Sequence, residues 1–226
     1  ALSVSGAAFQ ALFKNPLVSP GLLGVLAGAS CGAALAMLIG DSWIVIQASA
    51  FLGGCGAVLI AIGIARIYRA ESLLMLVLGG IISTGLCTSI LSMIKMLADP
   101  YNQLPAIVFW LMGRLSAVDM ATVAPLAFPM VIGTGFLMVT GKYLNALSMG
   151  DDEATTLGVS VPVMRFAVIL CATLVSALTV SMAGMIAWVG LVIPHVARLL
   201  VGPDNRQLLP VSAVMGAAFL LIVDDV

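Results

Sequence analysis

Long apolar runs separated by short polar turns set the character of this chain. Residues 21–40, 43–65, 72–94 and 120–141 each contain no Asp, Glu, Lys or Arg. At 1.5 Å per residue, a helix of about 20 apolar residues crosses a hydrocarbon core of about 30 Å. Each run therefore predicts one membrane-spanning helix. Residues 207–223 form a shorter uncharged run that predicts another crossing with interfacial flanks. Alternating strands of the kind that build membrane β-barrels are absent from the sequence. The pattern predicts an all-α, polytopic transmembrane helical bundle.

Two stretches depart from that pattern. Residues 166–197 are free of acids, Lys and Arg over a length too great for one crossing and too small for two. Gly184 and Gly190 lie inside this run and Pro194 comes after them, which predicts a helix to about 182, a break, and a shorter helix from about 187 to 200. The segment 104–113, LPAIVFWLMG, is apolar but too short to span and predicts a re-entrant or interfacial helix. Irregular backbone at membrane depth is tolerated only where protein or a water-filled cavity satisfies it, which makes this segment a candidate pathway element.

Composition agrees with a membrane location and removes other classes. Of 226 residues, 62% are hydrophobic and 8% charged, and the mean hydropathy is +1.21. A soluble domain carries roughly 25% charged residues. Nine Lys/Arg against ten Asp/Glu give a net charge of −1, so there is no basic face for nucleic acid. If the 66–71 loop is cytoplasmic, Lys14, Arg66, Arg69, Lys142, Arg165, Arg198 and Arg206 fall inside, and only Lys95 and Arg114 fall outside. That asymmetry satisfies the positive-inside rule. The chain begins at Ala1 inside an apolar segment and stops at Asp224-Asp225-Val226 directly after a span, and reads as a piece of a longer permease.

Catalytic chemistry has little to work with. His195 is the single histidine, so His-ligated zinc and Ser-His-Asp triads are not assembled from sequence. Cys31, Cys55, Cys87 and Cys171 are scattered singly in apolar runs and read as buried thiols. Met93 with Met96, and Met182 with Met185, place thioethers one helical turn apart, a spacing that packing explains more simply than copper binding. Gly24, Gly28 and Gly32, with Gly53, Gly54 and Gly56, form small-residue patterns that let helices approach closely. A G-x-x-x-x-G-K-[ST] phosphate loop is absent from the sequence.

The most organised polar stretch is 142–165, KYLNALSMGDDEATTLGVSVPVMR. Asn145 to Met149 predict a short helix ended by Gly150. Asp151, Asp152 and Glu153 then place three acids in the first turn of a second helix, where the helix dipole favours them. Gly158 stops it, and Pro162 opens the next segment. A capped two-helix elbow on the cytoplasmic side offers a docking surface for a soluble partner.

These residues resemble the permease subunits of type II ABC importers, the FecCD family that takes up iron-siderophores, haem and vitamin B12. The resemblance is carried by AAFQALFKNPL at 7–17 followed by PGLLGV at 20–25. Leu147-Ser148-Met149-Gly150-Asp151 with Ala154, Leu157 and Gly158 resembles the family's cytoplasmic signature. GLVIPH at 190–195, and Leu208-Leu209-Pro210 through Gly216-Ala217, complete the set.

The resemblance implies a fragment of a subunit of about ten helices in the bacterial inner membrane. It implies a second copy of the permease or a close paralogue, two cytoplasmic ABC ATPase subunits, and a periplasmic or lipid-anchored binding protein. ATP and Mg would sit on the partner ATPase, with no cofactor in this chain. Residues Leu147, Ser148, Met149, Gly150, Asp151, Asp152, Glu153, Ala154, Leu157 and Gly158 are expected to seat on that ATPase. By position, Ala70, Glu71 and Ser72 fall in the gate loop, where Glu71 departs from the small hydroxyl residues of the pattern. Gln10, Phe109 and Trp110 are expected near the pathway, and Lys95 and Arg114 are candidate docking points for the binding protein. The implied cargo is an iron-siderophore, with haem, cobalamin or molybdate on the same scaffold as alternatives. An ATP-independent secondary transporter is the rival class, and it needs an ionisable group inside a span that the uncharged runs do not supply.

Overall fold

Helix is the only regular structure among the described residues, and each helix traces to one of the apolar runs or to the elbow. The computed structural model describes residues 1–40, 42–67, 73–113 and 120–225, the side chains at 121 and 122 excepted. In chain order the helices are α1 Leu2–Leu12, α2 Val25–Ile39, α3 Trp43–Ile67, α4 Leu73–Leu97, α5 Gln103–Leu111, α6 Met120–Val139, α7 Gly141–Met149, α8 Asp151–Thr156, α9 Val161–Ala183, α10 Val189–Val201 and α11 Asn205–Asp224. Four of them, α3, α4, α9 and α11, are long and apolar enough to cross a membrane alone. Residues Val123–Val139 of α6 join α7 through a bend of 46°. The bend falls at Thr140, whose hydroxyl donates 2.6 Å back to the Leu137 carbonyl, a bond that competes with straight helical geometry.

One predicted span is corrected. The uncharged run 21–40 is not one full-length helix, because Pro20–Leu23 forms a 3-10 turn and Gly24 takes φ +86°. Only the 15 residues of α2 remain α-helical, about 22 Å at 1.5 Å per residue. The predicted break after residue 182 is present: α9 ends at Ala183 and α10 starts at Val189. The apolar 104–113 segment is the short α5, and its length is far below a crossing.

The chain forms two compact units. The first comprises Ala1–Pro20, Ala124–Ser176 and Ala187–Val226. In it α1, α10 and α11 pack mutually, and α7 rests on α1 and α11. The backbones of α1 and α10 approach so closely that a Cβ on Gly6 would collide with the Gly190 carbonyl.

The second unit comprises Gly21–Val123 and Ala177–Ile186. Here α2, α3 and α4 form a three-helix layer, with α5 against α2. A Cβ on Gly28 would lie 2.6 Å from the Ala57 Cβ and would collide with the Gly53 carbonyl. Helices in lipid associate through such close packing rather than through a hydrophobic drive, which the acyl chains cancel. The α3–α4 contact adds one buried hydrogen bond, from the Ser83 hydroxyl to the Ala57 carbonyl at 2.7 Å.

Candidate functional site

The elbow is built as local signals predict, with one extension. Its first helix starts at Gly141, a turn ahead of the predicted Asn145. Gly150 at φ 155°, ψ 165° separates α7 from α8, a backbone region essentially reserved for glycine. Asp151, Asp152 and Glu153 occupy the first turn of α8. Gly158 at φ +80° comes just after α8, and its N–H bonds the Thr155 carbonyl at 2.9 Å. The Arg165 guanidinium reaches back 2.6 Å to Asp151 and ties the start of α9 to the start of α8.

Burial divides the nominated elbow residues into two roles. Leu147 is 2% exposed and Ala154 is fully buried. They anchor the elbow and are closed to a partner. Met149 at 69% and Leu157 at 63% are exposed, as are Ser148, Asp151, Asp152, Glu153 and Gly158, while Gly150 is half-buried. The outer surface thus combines two apolar side chains with three carboxylates, one of them paired.

A polar brace that sequence reading missed holds the elbow from beneath. Asn145 of α7 donates 2.6 Å to the Asp204 carboxylate. Its own carbonyl accepts from the Asn205 backbone N–H and from the Asn205 amide, both at 2.8 Å. Asp204 is the N-cap of α11, accepting from the Arg206 N–H at 2.9 Å. The Asn145 amide, and then the Arg206 N–H, hold its carboxyl below the ordinary carboxylate range. The helices also touch directly, since a Cβ on Gly141 would lie 2.9 Å from the Asn205 carbonyl.

The remaining nominated residues are dispersed. Gln10 is 1% exposed. It donates 3.2 Å to the Leu191 carbonyl and accepts from the Arg198 guanidinium at 3.4 Å, so it braces α1 against α10. Phe109 and Trp110 line a cavity of about 390 Å³ with Met37, Trp43, Ile46 and Gly184. This cavity is aromatic and uncharged. The approach to α5 is a built turn, in which Asp99 accepts from the Tyr101 and Asn102 N–H groups. Gln103 secures α5 to the end of α2 by donating 2.8 Å to the Leu38 carbonyl. Lys95 sits half-buried in the last turn of α4. The gate candidates Ala70, Glu71 and Ser72, and the docking candidate Arg114, lie outside the described residues. His195 is exposed, and all four cysteines are free. No cluster of metal-ligating side chains occurs among the described residues.

A second feature missed from sequence is the exposed face of α4. Thr88, Ser89 and Ser92 all lie on it. Each hydroxyl donates to the carbonyl four residues back, at 2.7, 2.8 and 3.0 Å. The spacing of hydroxyls along 84–92 was the available signal. It defines an uncharged polar stripe whose donors are already satisfied.

Comparison with known proteins accounts for this architecture. The model of the FecCD transport family matches residues 1–226. The chain is 36% identical over 225 residues to the molybdate import system permease protein MolB of Haemophilus influenzae, covering 100% of this chain and 67% of that protein. It is 38% identical to a probable iron chelatin transport system permease protein of Helicobacter pylori, covering 100% and 68%. The chain spans about two thirds of the length of the curated relatives it matches. A solved "metal-chelate type ABC transporter" in "an inward-facing conformation" superposes with a TM-score of 0.93 at 36% identity, covering 99% of this chain and 71% of the other. With the family model matched from first residue to last, this chain belongs to the FecCD transport family.

Proposed function

We propose that the chain is the membrane-spanning part of an ATP-driven importer that moves a metal chelate, of the iron-siderophore class, into the cytoplasm. The observation that carries this reading is the elbow: two short helices anchored from inside by Leu147 and Ala154, presenting Met149, Leu157 and three acids outward. Such a surface is a seat for a soluble ATPase, which supplies the ATP and Mg site. A second permease copy completes the pathway, and a binding protein delivers the cargo at the opposite face, with Lys95 and Arg114 as its contacts.

Transport proceeds by alternating access, in which ATPase closure displaces the elbow and tilts the attached helices. The uncharged spans favour this external energy source over ion coupling, which needs a membrane-embedded acid or base. The hydroxyl stripe of α4 and the aromatic wall at Phe109 and Trp110 would line the route without a charged trap. Bulky cargo is then released as readily as it enters. Among relatives, the Helicobacter pylori match is described as an iron chelatin permease, which supports the cargo class. Identifying the ligand retained by the cognate binding protein tests it, and molybdate, haem or cobalamin there would replace the iron chelate.

The coupling assignment is tested in the full-length permease with Leu157→Arg, an exposed position where the backbone imposes no strain. Transport and permease-stimulated ATP hydrolysis are both expected to collapse while the permease still inserts. Persistence of both activities would overturn the assignment.

A further inference from the structure

Resting on that reading of the elbow, we propose that Asn145, Asp204 and Asn205 form the joint through which ATPase-driven movement of α7 and α8 is delivered to the start of α11. The elbow is already joined covalently to α6 and α9, so a connection to α11 is an additional route. Three observations carry it.

First, the joint is built from both sides. Asn145 donates to Asp204 at 2.6 Å and accepts two N–H groups of Asn205 at 2.8 Å each. Both ends of the Asn145 carboxamide are thereby engaged with α11 at short range. Asn205 is 3% exposed, so water is nearly excluded from its side of the contact. Hydrogen bonds sequestered in this way hold geometry more firmly than exposed ones.

Second, Asp204 belongs to α11 by its own chemistry. The same carboxylate oxygen that receives Asn145 also receives the Arg206 N–H at 2.9 Å. The Asp204 carbonyl takes the Leu208 N–H at 2.9 Å. A pull on Asp204 is therefore a pull on the first turn of the helix.

Third, there is no slack between the helices. Gly141 leaves room for hydrogen alone beside Asn205 and Arg206, whose Cα lies 3.1 Å from where a Cβ would be. From α11 the packing continues to α1 and α10, and α1 is locked to α10 by Gln10. Displacement of α7 thus has a rigid path into three helices. Asn145, Asp204 and Asn205 are positioning residues: they lie beneath the elbow and leave its outer surface unchanged.

The test uses the full-length permease assembled with its ATPase subunits in lipid nanodiscs. Hydrogen exchange is compared with and without MgATP and vanadate. In the native complex, protection is expected to change both in 141–158 and in 204–215. In Asn145→Ala, the change in 141–158 should persist while that in 204–215 is lost. Asn145→Asp should do the same by setting two carboxylates face to face. Asp204→Ser keeps an N-cap acceptor for the Arg206 N–H but is too short to reach Asn145, and should also reduce the response in 204–215. A nucleotide response in 204–215 that survives Asn145→Ala overturns the joint. So does an undiminished response in Asp204→Ser, which remains informative if Asn145→Ala fails to assemble. Absence of any response in 141–158 of the native complex shows instead that the elbow is not the ATPase seat, and both readings fall.

Discussion

Helices are held together differently in the three-helix layer α2–α4 and at the elbow. In the layer, α2 and α3 meet backbone to backbone: Gly28 faces Gly53, and Gly32 faces Ser49. The energy there is dispersion over a long seam, and loss of one contact costs little unless something is inserted. At the elbow, a short helix of few apolar residues is fixed by side-chain hydrogen bonds of defined direction, from Asn145 to Asp204 and from Asn205 back to Asn145. Close packing resists wedges, whereas a polar brace resists loss of a partner. A static layer suits the first device. A short segment that has to stay attached at a fixed angle suits the second.

The largest effect expected from breaking this contrast comes from Gly28→Leu. The Cβ alone would collide with Gly53 and lie 2.6 Å from the Ala57 Cβ, and neither neighbour has a flexible end to yield. Destabilisation should approach about 3 kcal/mol, the upper part of the overpacking range, read from SDS or thermal unfolding in detergent. A cost below that of Gly56→Leu, where a Cβ would meet open space, would show that the seam is not tight.

A smaller effect is expected at the rim of the elbow. Arg165 and Asp151 pair at 2.6 Å with side chains 20% and 50% exposed. Arg165→Gln should therefore cost no more than about 1 kcal/mol, and added salt should shrink the difference. A larger, salt-independent loss would move Arg165 from surface staple to structural element.

The smallest effect is a pH dependence at Asp204. Its folded carboxyl titrates below its ordinary value of 3.8, so its contribution is fully present above that value and is lost as pH falls through the folded one. Elbow protection measured by hydrogen exchange should stay level from neutral pH down to the ordinary carboxylate range and weaken only beneath it. Asp204→Asn should abolish this acid limb. Weakening that begins above the ordinary range would contradict the brace.

What was legible in the sequence is what local chemistry dictates. The uncharged runs predicted α3, α4, α6 and α11. Gly184 predicted the break before α10, and Gly150, Asp151–Glu153 and Gly158 predicted two elbow helices. The shortening of α2 was missed because hydropathy does not register the left-handed turn at Gly24. The brace was missed for a different reason: Asn145 is 59 residues from Asp204, and a single sequence carries no signal of that pairing. Half of it was readable, since an Asp after Gly202-Pro203 and ahead of an apolar run is an N-cap signal. Similarly, the elbow motif named ten residues, and only the fold separates Leu147 and Ala154, which face inward, from Met149 and Leu157, which face out.

The partnership of Gln10 with α10 carries a last consequence. Pro194 stands inside that helix, where its ring and its missing N–H loosen the preceding turn. Within that turn the Leu191 carbonyl takes the amide of Gln10. The carbonyl that the proline leaves without its helical donor is that of Gly190, four residues back, and the Gln10 amide takes the carbonyl next to it, so α1 splints the turn that the proline weakens. Bending of α10 at Pro194 therefore requires Gln10 to let go first.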